Sequence, residues 1–514
     1  MIRRANYEDL AGKSFESNRS KTLLAISLLT SLSAQTVCGH WRPENSQAHS
    51  FAYRASSSPI IMHTGLGVYL PIVFYLAIWA GFGLSIFWRP LAGLLLLAPL
   101  LPNETMRYKL ANLPLGSQAI DILMLGVAIG LLKNRRQLLP AIGLRRPFLI
   151  LAFYTYLSLW LGSLLNHYEL PLWFSVERVS TWKNFIRMPF LAFLAYGAIE
   201  SVSDITALMV SFCAGTVLVE RGYFLSIRGK DFSSFSYGLR DAGPLGTAGE
   251  NGLAAFLAQT ALLFVGFAKS VRRIPKLLLM TVAGLGVIAL ALTFSRGGYL
   301  GLVVGFIYLA FFLNRKWVPA LVIAGILLCV APTSLVPPSV VERVQMTDSG
   351  GSLDPSSEGR IVMWERAMSF FSDYPITGTG FNTFWYLTSG DELHDTHNYY
   401  LKVLCEQGIL GVGAFLWLLW SCWFACRRLI RTAEDDRLLA LGIGGCAYIV
   451  CVVVVNIFGD RFNYISISGY TFLLIGMIER GVAISAGRLT HGGPENAQSS
   501  MEMTDDCEVA AQLI

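Results

Sequence analysis

Charge is what this 514-residue sequence has least of: 14% of its residues are Asp, Glu, Lys or Arg, against 54% hydrophobic, at a mean hydropathy of +0.52. A soluble domain carries about a quarter of its residues as charges, so that class is excluded. Charge of one sign is scarce too. The excess of 40 Lys+Arg over 34 Asp+Glu is too small for a nucleic-acid-binding surface, and no nucleic-acid module is visible. Of nine cysteines, Cys213, Cys329, Cys405, Cys422, Cys426, Cys446 and Cys451 fall inside apolar stretches, where a thiol behaves as a small hydrophobe. Their spacing gives neither a disulfide framework nor a zinc site. Internal repeats of about 20 to 50 residues are lacking as well, which excludes solenoids and propellers.

What the chain has is apolar runs. A spanning helix needs about 20 mainly apolar residues, because the hydrocarbon is roughly 30 Å thick and offers the backbone no water partner. Such runs cover 66–87, 90–101, 116–132, 147–166, 185–199, 205–227, 252–268, 275–294, 297–313, 317–337, 399–424, 438–458 and 463–479. The pattern predicts an all-α polytopic transmembrane bundle of roughly 11 to 13 spans, the shortest reading as half-helices. Basic residues cluster in alternate connectors: Lys133, Arg135, Arg136, Arg145 and Arg146; Lys269, Arg272, Arg273 and Lys276; Arg315 and Lys316; Arg427, Arg428 and Arg431. Counting spans puts all four clusters on one side, which the positive-inside rule makes cytoplasmic. Connectors 102–115, 167–184, 228–251 and 338–398 then face outward.

Four parts follow. Residues 1–61 are an N-terminal extension, signal-like or disordered, in which 22–39 are apolar but rich in Ser and Thr and follow Arg19 and Lys21. Residues 62–240 hold the first transmembrane helices. Residues 241–486 are a membrane domain that includes the large outer loop 338–398, and 487–514 form a polar, acidic tail that reads as a disordered cytoplasmic end. The outer loop opens at Pro337 and Pro338 and passes a Gly/Ser/Asp/Pro run from Asp348 to Ser357. It then turns amphipathic, with Ile361, Trp364, Met368 and Phe371 at helical spacing and Glu365 and Arg366 off that stripe. Pro375, Gly378 and Gly380 stop this helix, which either lies on the bilayer or packs over a cavity.

Ionisable residues at the ends of apolar helices are costly and carry functional hypotheses. Four places stand out. Thr293-Phe294-Ser295-Arg296-Gly297-Gly298 breaks two apolar runs, and Arg296 there is either a snorkelling cation at a tight reversal or an anion clamp, since a guanidinium offers a planar fork to phosphate oxygens. Arg240, Glu250 and Asn251 flank an irregular loop with Gly243, Pro244, Gly246 and Gly249. Arg360 follows Glu358 and Gly359 at the start of the amphipathic helix. Finally, His394-Asp395-Thr396-His397-Asn398 precedes an apolar helix beginning at Tyr399. Asp395 or Thr396 is expected to cap it, leaving His397 and Asn398 in a first turn whose N–H groups favour an anion. A His394/His397 metal pair lacks a third ligand at a convincing spacing.

Taken together, Ser295-Arg296-Gly297, Gly359-Arg360 with Trp364, Pro375, Gly378-x-Gly380-Phe381, and Thr396-His397-Asn398 with Leu401, Glu406, Gly408 and Gly411 resemble the signature of the O-antigen ligase/polymerase superfamily over roughly residues 247 to 430. The resemblance implies a bacterial inner-membrane glycosyltransferase of polysaccharide biosynthesis, with its active site facing the periplasm. It would pass a glycan from an undecaprenyl-diphosphate carrier to the hydroxyl of a glycan or lipid acceptor, alongside other polysaccharide-assembly proteins. No cofactor is expected. Arginines can replace a metal in holding the leaving diphosphate, and the sequence has no Asp-x-Asp motif. The implied roles are His397 as the catalytic base, Arg296, Arg360 and Arg240 as diphosphate ligands, and Asn398, Glu250 and Asn251 as supports. The competing reading is a multi-span transporter or permease, favoured by Glu220 and Arg221 inside one span.

Overall fold

The computed structural model describes residues 69–173, 175–313, 337–345, 355–388 and 395–487. The extension 1–61, His394, the expected span 317–337 save its last residue, and the tail beyond Gly487 lie outside the described residues. In chain order the helices are α1 (Leu70–Phe87), α2 (Leu91–Leu100), α3 (Glu104–Leu110), α4 (Ala119–Lys133), α5 (Arg145–Leu165), α6 (Glu177–Ala198), α7 (Val202–Ser226) and α8 (Gly249–Phe267). They continue with α9 (Arg273–Leu292), α10 (Arg296–Leu313), α11 (Pro338–Gln345), α12 (Pro355–Asp373), α13 (Phe384–Leu387), α14 (Tyr399–Thr432), α15 (Asp436–Val455) and α16 (Ile465–Ser485). No strand occurs among the described residues. Nine helical stretches there are long and apolar enough to cross a membrane, and α2 and α10 are shorter apolar helices. The protein is an all-α polytopic membrane protein.

The bundle is ordered by how much of each helix is hidden. α8, α15 and α16 form the centre, while α1 is apolar nearly all round and exposes Leu76 and Phe87. Small residues let the central helices approach: a Cβ on Gly266 of α8 would stand 2.5 Å from the Gly444 Cα of α15. One apolar core joins helices from both halves of the chain, with α16 seated on α6.

Helix α6 begins earlier than the apolar run 185–199, because Glu177, Arg178, Lys183 and Arg187 hide its first turns from hydropathy. Two of those charges are used internally. Buried Arg178 donates to Ser163 Oγ at 2.9 Å and to the Phe381 carbonyl at 2.8 Å, and Arg187 pairs with Asp121.

The expected unbroken span 399–424 is interrupted: in α14, Gly408 takes φ 63° and ψ −167°. The segment after α12 lies in the break. Thr379 N–H donates to the Cys405 carbonyl (3.0 Å), Gly380 N–H to the Glu406 carbonyl (2.7 Å) and Ile409 N–H to the Pro375 carbonyl (3.0 Å). Backbone groups freed by the break therefore find partners in protein, the condition for irregular backbone at this depth. A Cβ on Gly408 would meet the Ile376 carbonyl oxygen at 2.2 Å, so sterics as well as the positive φ demand glycine.

The amphipathic helix forms where expected, but its stripe is turned. Ala367 is buried and Met363, Trp364 and Phe370 are partly covered, whereas Ile361 and Met368, assigned to the inner stripe from sequence, are exposed. α12 packs on α14, and Phe370 sits with Phe384 and Cys405.

Candidate active site

Five arginines from five separate elements line one cavity: Arg240, Arg296, Arg343, Arg360 and Arg461, with Asn251 and Ser295 between them and no carboxylate among the described lining residues. Each arrives by a local device. The α9–α10 reversal is built on Phe294, held at φ 58° and wholly buried between Phe232 and Phe235. That packing fixes Ser295 and Arg296 and pins the loop that carries Arg240. Asn251, near the start of α8, accepts from Arg240 Nη2 at 2.9 Å and from Ser295 Oγ at 2.7 Å. Glu250 lies 2.7 Å from Arg240. Burial is the largest influence on Arg240 and lowers its pKa, Glu250 opposes that shift, and Arg343 and Arg461 add to it.

Arg343 and Arg461 were not foreseen. Arg343 belongs to the short helix α11 and stacks over Phe235 and Tyr237, with its guanidinium 5.0 and 5.4 Å from the ring centroids. Glu342, beside it, accepts the Phe235 N–H at 2.8 Å. Arg461 stands in the α15–α16 turn and folds back over Gly459, where a Cβ would come within 2.4 Å of the Arg461 Cζ. The one available signal was a charged Gly459-Asp460-Arg461 run between two apolar segments, the pattern that drew attention to Arg296.

The void among these side chains is about 20 Å³, on the order of one water, so the arginines must spread to admit a diphosphate.

Beside the cavity lies the 395–398 turn. The expected cap is corrected: Asn398 caps α14, its Oδ1 accepting the Tyr400 and Leu401 N–H groups at 3.0 and 3.2 Å. His397 and Asn398 therefore stand outside the helix, and those two N–H groups are taken instead of being offered to an anion. His397 adopts φ 49° and its N–H donates to Asp395 Oδ1 at 2.8 Å. Asp395 Oδ2 approaches His397 Nδ1 at 3.5 Å, beyond normal hydrogen-bond length. Burial, then the nearby charges of Arg360 and Arg461, bring the imidazole pKa down to about 4, so His397 is neutral at pH 7 and able to accept a proton.

The turn is fastened on two sides. Trp364 Nε1 donates to the Thr396 carbonyl at 2.9 Å, so α12 carries Arg360 into the cavity and, one turn later, holds the histidine loop. Thr396 Oγ1 donates to buried Asp460 at 3.0 Å, and the other Asp460 oxygen lies 3.0 Å from Lys402 Nζ. Burial and the Asp395 carboxylate push Asp460 up to about 6, against the pull of Lys402.

Arg240, Arg296, Arg360 and Asn251 thus line one cavity, with Glu250 and His397 adjacent. Glu220 is elsewhere, buried on α7 beside Gly286 of α9.

Residues 279–416 match the family model described as O-antigen ligase. That match supports the O-antigen ligase/polymerase superfamily that the sequence resembles. No curated protein matches the chain. The O-antigen ligase match is narrower than the resemblance read from sequence. It contains Arg296, Arg343, Arg360, His397 and Asn398, while Arg240, Asn251, Asp460 and Arg461 come to the same place from outside it. Together with the membrane helices, the match supports a membrane glycan ligase or polymerase in general.

Proposed function

We propose that this protein transfers a glycan from an undecaprenyl-diphosphate carrier to an acceptor hydroxyl at the periplasmic face of the bacterial inner membrane, as a polysaccharide polymerase or ligase working without a metal. The observation that carries the reading is the arginine cavity beside a neutral histidine: five guanidinium groups, each a planar fork suited to phosphate oxygens, converge on one place. Arg296 and Arg360 grip the diphosphate, and Arg240, Arg343 and Arg461 extend the field that stabilises it as it departs. The acceptor oxygen bonds to the anomeric carbon as the carbon–oxygen bond to the diphosphate breaks. The hydroxyl proton passes to His397 Nε2, while Nδ1 faces Asp395. A single displacement of this kind inverts the anomeric carbon, as in inverting glycosidases.

The test is the glycan profile of a deletion strain complemented with variants. Loss of polymerase leaves single repeat units, and loss of ligase leaves full-length polymer on its carrier. Arg360→Ala and His397→Ala should reproduce the deletion; complementation by both at normal expression would refute the reading.

A further inference from the structure

A second cavity, about 220 Å³, opens between α6, α14 and the start of α16, lined among others by Thr181, Asn184, Phe381, Tyr399, Gln407 and Asn463. We propose that it is a second substrate pocket and seats one neutral sugar ring, an inference that rests on the glycan-transfer reading above. Its polar lining is amide and hydroxyl, groups that donate and accept as sugar hydroxyls do, and its rings offer flat apolar faces. The charged residues at its wall are already engaged. Lys402 Nζ lies 3.0 Å from Asp460, and the buried Glu406 carboxylate accepts the N–H groups of Asn382 (3.0 Å) and Phe384 (3.1 Å). An ionic ligand would have to break those pairs, whereas a polyol would not. The volume corresponds to about seven waters, room for one ring and too little for a lipid diphosphate.

Its position fits a partner of the arginine cavity. The chain Thr396–Asp460–Lys402 forms the partition: Lys402 faces this pocket, and Arg461, next to Asp460, faces the other. A ring held here is kept apart from the diphosphate by that partition, while the segment from His397 to Tyr399 borders both sides.

The full chain, purified in lipid nanodiscs, is titrated with methyl β-glucopyranoside, methyl β-galactopyranoside, methyl N-acetyl-β-glucosaminide and inorganic pyrophosphate, reading thermal unfolding. At least one glycoside should protect the wild type in the millimolar range. Asn184→Leu, which fills the pocket, and Asn463→Ala, at an exposed turn, should each raise its half-saturation at least ten-fold and leave that of pyrophosphate unchanged. Absence of protection by every glycoside, or equal protection of both variants, overturns the pocket. Glycoside protection lost in the variants, with no response to pyrophosphate in any protein, keeps the pocket and removes the arginine-cavity reading instead. In membranes, extra lipid-linked donor that restores Asn184→Leu transfer assigns the ring to the donor chain, and failure to restore it assigns the ring to the acceptor. Wild-type transfer by both variants at limiting donor overturns the proposal.

Discussion

At the scale of single residues, the arginines are distinguished from lysines by shape. A lysine is a point charge without the bidentate fork, so Arg296→Lys and Arg360→Lys should recover little of the activity lost in the alanine variants, whose cost is on the order of 2 to 5 kcal/mol of transition-state binding. Turnover of purified lipid-linked glycan measures this, and near-normal rates for either lysine variant would argue for simple charge attraction. Gly459 supplies a sharper probe. The atoms that an added Cβ would meet belong to the end of the flexible Arg461 side chain, so Gly459→Ala should leave folding and expression intact, turn the guanidinium away and lower transfer at least ten-fold. His397 carries a pH signature. Its pKa is about 4, below the ordinary histidine value, so the imidazole stays unprotonated from pH 7 down to the pKa. The acid limb of kcat/KM, which reports the free enzyme, should therefore fall near pH 4 to 5. The limb of kcat should lie higher, because a bound diphosphate offsets the fields of Arg360 and Arg461. A kcat/KM limb at pH 6.5 would contradict the environment described here.

At the scale of elements, the helices were legible and their joints were not. Apolar runs located α1, α4, α5, α7 to α10 and α14 to α16, since hydropathy over about 20 residues is the property a bilayer selects. The arginines at helix ends were legible for the same reason, as charges where charge is expensive. Arg343 was missed because only tertiary closure of α11 brings it to the cavity, and Arg461 was missed although its charged run between apolar segments was the same signal that marked Arg296. The cap was missed because Asp395, Thr396 and Asn398 are all good capping residues, and the choice among them is made by Asp460 and Trp364, distant in sequence. Asn398→Ala should cost about 1 kcal/mol and lower the unfolding temperature, with Asn398→Asp or Asn398→Ser restoring most of it, because any short acceptor can take the two N–H groups. Trp364→Phe keeps the ring and removes one hydrogen bond. It should lower kcat more than thermal stability, since the bond ends on the backbone that presents His397.

At the scale of the whole molecule, charge is sorted to two ends. Arg428 pairs with Glu479 at 2.7 Å and Arg136 with Glu200 at 2.6 Å at one end, while the arginine cavity and the 395–398 turn occupy the other. Impermeant thiol reagents should label a cysteine at exposed Asp373 in intact cells and one at exposed Arg135 only after the membrane is opened. The reverse pattern would turn the site to the cytoplasm. The break in α14 has a metric consequence. Beyond Gly408, the stretch 409–432 is roughly 36 Å long at 1.5 Å per residue, somewhat more than the roughly 30 Å of hydrocarbon and less than the 40 to 45 Å that includes the headgroups. Set across a bilayer, that part of the helix is a ruler, and its length would bring the nine residues before the break to the headgroup level. On the proposed function, a diphosphate tethered to a polyprenyl chain resides at that height, and the donor would reach the arginines by lateral diffusion in two dimensions, without being lifted out of the leaflet.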